Sequence, residues 1–125
     1  MSAGPQAPLR LKSAMRLRTQ RDFVKIKADG RRVVHGCMIA NWLPLPPRAT
    51  PQLGVITSRR LGNSVVRSRA RRLLRETFRL HQHQLRQPMA VVLIARPSIV
   101  GKPLAVVEHD YLQILRRGGL INEPK

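Results

Sequence analysis

Val66, Ala70, Leu73, Leu74 and Phe78 recur at three- and four-residue intervals. That spacing lines one side of an α-helix and predicts an amphipathic helix over residues 66–81. A second stripe, Val107, Tyr111, Leu112 and Leu115, predicts a helix over 104–116 with Gly118 as its terminator. The continuous apolar run 89–95, bounded by Pro88 and Pro97, reads as a strand buried on both faces. Upstream, β-rich segments over 32–35 and 37–45 are interrupted by Gly36, which predicts two strands meeting at a bulge or tight bend. The proline-rich stretch 44–51 lacks the donors for a regular ladder and reads as a loop, after which 52–57 returns as a third strand. Thr19 is placed to cap a short helix ending near residue 28, with Phe23 and Ile26 facing inward and Gly30 closing it. The predicted order is α-β-β-β-α-β-α, without an internal repeat.

The 125 residues suffice for one α+β domain with a modest core, built mainly from Val, Leu, Ile and Ala because only 3% are aromatic. Residues 1–15 mix Ser, Ala, Gly, Pro and basic residues without periodicity and read as a mobile basic tail; 16–120 form the domain and 121–125 a C-terminal tail. The longest apolar run is far short of the ~20 residues that cross a bilayer, and no hydrophobic segment follows the basic N-terminus as in a secretory signal, so the expected location is the cytoplasm. Cys37 is the only cysteine, which excludes an intramolecular disulfide and a multi-cysteine metal site; a buried small hydrophobe is its expected role.

Charge narrows the partners. The 24 Lys and Arg oppose 6 Asp and Glu, a formal net charge of +18. Such self-repulsion is relieved by a polyanion, and each neutralised phosphate releases condensed counterions. Nucleic acid is therefore favoured over an anionic membrane surface. Arg59, Arg60, Arg67, Arg69, Arg71, Arg72, Arg75 and Arg79 crowd into one stretch whose only acid is Glu76. On the helical projection Ser68, Arg71, Arg72, Arg75 and Arg79 oppose the apolar stripe, with Arg67 and Arg69 at its borders. Like charges four residues apart cost a helix about 0.2–0.5 kcal/mol per pair, so helix stability alone does not account for the array. Ahead of it, Gly62-Asn63-Ser64 provides a turn and an N-cap, and the first-turn N–H groups add a phosphate-friendly end.

The stretch Leu53-Gly54-Val55-Ile56-Thr57-Ser58-Arg59-Arg60-Leu61-Gly62-Asn63-Ser64-Val65-Val66-Arg67-Ser68-Arg69-Ala70-Arg71-Arg72-Leu73-Leu74-Arg75-Glu76 resembles the signature of the bacterial ribonuclease P protein family. Arg21-Asp22-Phe23 and Val91-Val92-Leu93-Ile94-Ala95-Arg96-Pro97 extend the resemblance to most of residues 16–120. It implies a compact α/β sandwich with a mixed four-stranded sheet and a left-handed crossover. It further implies a protein subunit of a ribonucleoprotein endonuclease. The partner RNA would carry out magnesium-dependent removal of the 5′ leader from precursor tRNA, while the protein assists and binds no cofactor tightly. By resemblance, Arg59, Arg60, Asn63, Arg67, Ser68, Arg69, Arg71, Arg72 and Arg75 contact the catalytic RNA. Phe23 and Lys27 border a cleft for the single-stranded leader. Neither a membrane nor a small-molecule substrate is expected.

Two positions depart from the family pattern. Ser68 stands where Asn is usual, exchanging a carboxamide for a shorter hydroxyl, and Lys27 stands where a second aromatic is common. Intrinsic protein catalysis is not supported, since Asp22, Asp29, Glu76, Glu108, Asp110 and Glu123 are scattered. His81 with His83, and Glu108-His109-Asp110, point in different directions on regular helices. The competing functions are a structural RNA-binding protein of ribosomal type and a DNA-binding regulator, which share the charge but do not require the Gly-Asn turn leading into the arginine helix.

Overall fold

The computed structural model describes residues 25, 26 and 28–121. The expected N-terminal tail, the cap at Thr19 and the cleft residues Phe23 and Lys27 lie outside them. Lys25, Ile26, Ala28 and Asp29 are helical, and the N–H of Gly30 donates to the carbonyl of Ile26 at 2.8 Å. There follow β1 (Arg31–His35), β2 (Met38–Pro44), β3 (Gln52–Ile56), α1 (Ser64–His81), β4 (Met89–Ala95) and α2 (Leu104–Gly118), with single 3₁₀ turns at Arg59–Leu61, Gln82–Gln84 and Pro97–Ile99.

The interruption at Gly36 is a tight hairpin turn in which His35 pairs with Met38. Gly36 has φ +57°, and a Cβ there would lie 2.1 Å from Oδ2 of Asp110. Backbone conformation and space both demand glycine. Asp110 reaches this turn from α2, and its Oδ2 accepts the N–H of Cys37 at 3.0 Å, so a contact 73 residues apart in sequence closes the hairpin onto the helix.

The strands form one sheet in the order β1-β2-β4-β3. β2 is antiparallel to both β1 and β4, whereas β3 is parallel to β4, so α1 is the crossover between two parallel neighbours. Strand alternation divides the apolar side chains between two faces. Met38, Ala40, Trp42, Leu53, Met89, Val91, Leu93 and Ala95 belong to the main core beneath the helices. Ala90 and Val92 form a smaller cluster with Ile26 on the opposite face. β4 is therefore buried on both sides, as its unbroken apolar run predicts. The helices divide the sheet: α1 packs on β3 and β4, α2 on β1 and β2.

α1 begins at Ser64, two residues before the predicted start, because its cap includes polar residues that carry no apolar period. α2 runs to Gly118, and the expected terminator moves by one: Gly119, with φ +70°, makes the left-handed closing turn. The N–H groups of Gly119 and Leu120 donate to the carbonyls of Arg116 and Leu115, satisfying two otherwise open acceptors. Gly118 serves a different purpose, since a Cβ on it would lie 2.7 Å from Trp42 Cζ2. Leu112 is only half-buried, and Ile114 takes the interior place beside Val107, Tyr111 and Leu115. Ile121, assigned to the tail by sequence, is buried and bridges to Leu85.

Candidate nucleic-acid interface

The turn before α1 separates apolar from cationic side chains. Leu61 is buried while Arg59 and Arg60, on the same single 3₁₀ turn, are exposed. Gly62 then has φ +143°, and Asn63 caps α1 by accepting the N–H of Val66 on Oδ1 at 3.0 Å. Of the two candidate caps, Asn63 takes the role and Ser64 opens the helix.

Within α1, Ala70, Leu74, Thr77 and Phe78 are buried. Complete burial of Leu74 and Phe78 contributes about 1.5–3 kcal/mol each, several times the cost of a like-charged pair on the outer side. Packing against the sheet thus carries the helix despite its arginines. Arg72, Ser68 and Arg69 are exposed, and Arg75 is half-buried.

Arg67, which the helical projection places at the border of the apolar stripe, and Arg71, which it places opposite that stripe, both sit close to the protein. Arg67 is half-buried with its Nε enclosed. Arg71 turns towards the end of β3: its guanidinium donates to Thr57 Oγ1 at 2.7 Å and to Ser68 Oγ at 3.1 Å. The projection placed Arg71 opposite the apolar stripe because it treats the far side as solvent and ignores the neighbouring strand. Ser68, which departs from the family pattern, here orients Arg71. Thr57 is a positioning residue that no sequence motif singles out.

Arg69 Nη2 donates to the carbonyl of Lys102 at 3.0 Å, tying α1 to the turn after β4. Arg79 Nε donates to Glu76 Oε1 at 3.0 Å. That hydrogen bond holds the Glu76 carboxyl below its ordinary range, so the one acid on α1 is spent on the arginine at its C-terminal end. Arg59, Arg60, Asn63, Arg67, Ser68, Arg69, Arg71, Arg72 and Arg75 form a single turn-and-helix unit, with Arg67 and Arg71 on its inner flank.

Several of the remaining polar groups tie elements of the fold together. Glu108, His109 and Asp110 diverge as consecutive helical positions must: Glu108 Oε2 lies 2.8 Å from His81 Nε2, Asp110 holds the hairpin and His109 is exposed. Gln84 meets the other nitrogen of His81 at 2.7 Å, so this histidine joins α1 to α2. Cys37 is buried, and burial together with the hydrogen bond to Asp110 pushes its thiol up to about 12. Among the described residues no three His, Cys, Asp or Glu side chains group so as to hold a metal ion, and no helix is long and apolar enough to cross a membrane.

A four-stranded mixed sheet backed by two helices, with cations concentrated on the crossover helix and its entry turn, defines a small basic α/β protein. The ribonuclease P family model matches residues 11–119, and the chain belongs to the ribonuclease P protein family. The ribonuclease P protein component of Symbiobacterium thermophilum is 32% identical over 111 residues, covering 89% of this chain and 96% of the relative. That of Roseiflexus castenholzii is 33% identical over 112 residues, covering 89% and 91%. The fold is similar to the solved ribonuclease P proteins of Staphylococcus aureus, with TM-score 0.78 and 23% identity over 88% of this chain and all of that one. The Thermotoga maritima protein follows with TM-score 0.72 and 24% identity over 82% and 96%.

Proposed function

We propose that this chain binds the catalytic RNA of ribonuclease P through the Arg59–Arg75 unit and assists removal of the 5′ leader from precursor tRNA without cutting RNA itself. The observation that carries the reading is the near absence of acid from that unit: Glu76, at its far end, is engaged by Arg79. A folded polyanion relieves the repulsion, and guanidinium groups fork onto phosphate oxygens. Arg59, Arg60 and Arg72 offer exposed cations. Arg71, held by Thr57 and Ser68, offers an oriented one with less side-chain freedom left to lose. In this reading the magnesium ions required for hydrolysis belong to the RNA.

The leader is assigned to the sheet face opposite α1 and α2. There the rows Asn41–Val92–Gly54 and Leu43–Ala90–Gln52 run beside the helical segment that carries Ile26. Gly54 and Ala90 keep this floor low, which suits a single strand lying across it. Phe23 and Lys27 belong to the same segment in sequence and are assigned to its border.

The test adds the purified chain to the catalytic RNA and a precursor tRNA at low magnesium. Cleavage at the mature 5′ end should accelerate over RNA alone, and the chain without RNA should leave the precursor intact. Equal rates with and without protein would discard the reading.

A further inference from the structure

Residues 65–70 of α1 and the turn after β4 border a groove of about 170 Å³, to which the arginine array contributes Arg69. Ala70 and Ile99, both buried, form its floor together with half-buried Val66. Val65 and Val100 form its rims and, at 75% and 46% exposed, are the two most exposed large hydrophobics among the described residues. Val65 lies on the same side of the helix as Arg69 and Arg72, four and seven residues on, so the groove opens onto the cationic face.

The walls are held in place. The 3₁₀ turn is closed by hydrogen bonds from Ile99 N–H to the Arg96 carbonyl and from Val100 N–H to the Pro97 carbonyl. Arg69 ties the helix to this turn through the carbonyl of Lys102. Gly101, with φ +83° and open space where a Cβ would stand, leaves the mouth clear.

An occupant must be flat enough to slide between two valines, apolar on its faces, and attached to negative charge, because Arg69 is among the lining residues. A second copy of this chain is disfavoured, since a net charge of +18 on each partner would bring arginine against arginine. We infer that the groove receives one unstacked nucleobase of the RNA held on the arginine face, its phosphate meeting Arg69. The inference rests on the function proposed above. With 3% aromatic residues, the chain has few rings on which to stack a base. Aliphatic rims beside a guanidinium plane provide the alternative surface for a splayed-out base.

The test uses the full-length protein with methyl-labelled valine and isoleucine, titrated with adenosine monophosphate, adenosine or inorganic phosphate, and then with the catalytic RNA. Ring-current shifts at the methyls of Val65, Val100 and Ile99 are expected with the nucleotide, weaker ones with adenosine and none with phosphate. The same methyls should shift in the RNA complex. The Val65→Ser/Val100→Ser variant should lose these shifts and bind the RNA about fivefold or more weakly, the lower end of what stacking one base contributes. Its salt dependence should match the parent, because no charge is removed.

Equal responses to phosphate and nucleotide would reduce the groove to an anion site and overturn the inference. So would methyl shifts that grow with protein concentration alone, which would indicate self-association. If RNA binds and cleavage is enhanced while the valine methyls stay unmoved, the groove is refuted and the subunit function stands. Failure to bind the RNA at all would remove both.

Discussion

Replacing Arg59, Arg60 and Arg72 together with Ala probes the proposed interface where the structure isolates it best. All three are exposed, whereas Arg71 is bonded to Thr57 and Ser68 and Arg69 to the Lys102 carbonyl, so removing either of those would also disturb local structure. Each phosphate contact contributes about 0.7–0.9 to the slope of log K against log salt, so losing three should flatten the slope by roughly 2–3. At about 0.15 M salt the same counterion release amounts to roughly four- to sixfold per contact, or on the order of 50- to 200-fold for the triple variant. That corresponds to about 2.3–3.1 kcal/mol. Filter binding or fluorescence anisotropy with the catalytic RNA, over salt concentrations spanning a decade, measures both quantities. Circular dichroism and the melting temperature should match the parent. An unchanged slope in a folded variant would show that these cations do not meet phosphate and would refute the reasoning.

Three further outcomes test the scaffold. Asp110→Ala leaves the buried N–H of Cys37 without its acceptor and should cost about 1–3 kcal/mol in denaturant unfolding. Asp110→Asn, which keeps an acceptor oxygen, should cost less, and equal losses would show that charge rather than hydrogen bonding matters there. Gly118→Ala should destabilise even though alanine is favoured by about 1 kcal/mol inside a helix, because the new methyl meets Trp42 at 2.7 Å; a higher melting temperature would contradict that packing. Cys37, buried with its thiol pushed up to about 12, should resist a disulfide reagent at neutral pH and react fully once the chain is unfolded. Rapid modification of the native protein would place the thiol elsewhere.

Periodicity was enough to find both long helices, and β-rich or apolar runs set off by Gly and Pro were enough to find the four strands. Boundaries shifted where capping, not burial, decides them: α1 starts at Ser64 because Asn63 caps it, and α2 closes at Gly119 because that residue adopts the left-handed turn. The arginine array was equally legible, since a run of like charge on one helix needs no tertiary partner to be noticed. Its inner flank was not. Whether Arg71 points to solvent or to Thr57 depends on where β3 ends relative to α1, and the helical projection carries no such information.

What the chain determines by itself is a basic, arginine-faced helix entered through a Gly-Asn turn, together with strands whose apolar pattern prescribes one or two buried faces. These follow from local sterics, hydrophobic spacing and net charge. Only the tertiary structure decides that β3 lies parallel beside β4, that Asp110 reaches across to the Gly36 hairpin, and that Val65 and Val100 line one groove with Arg69. Those contacts join residues 33 to 73 positions apart, and their geometry is set by how α1 and α2 share one face of the sheet.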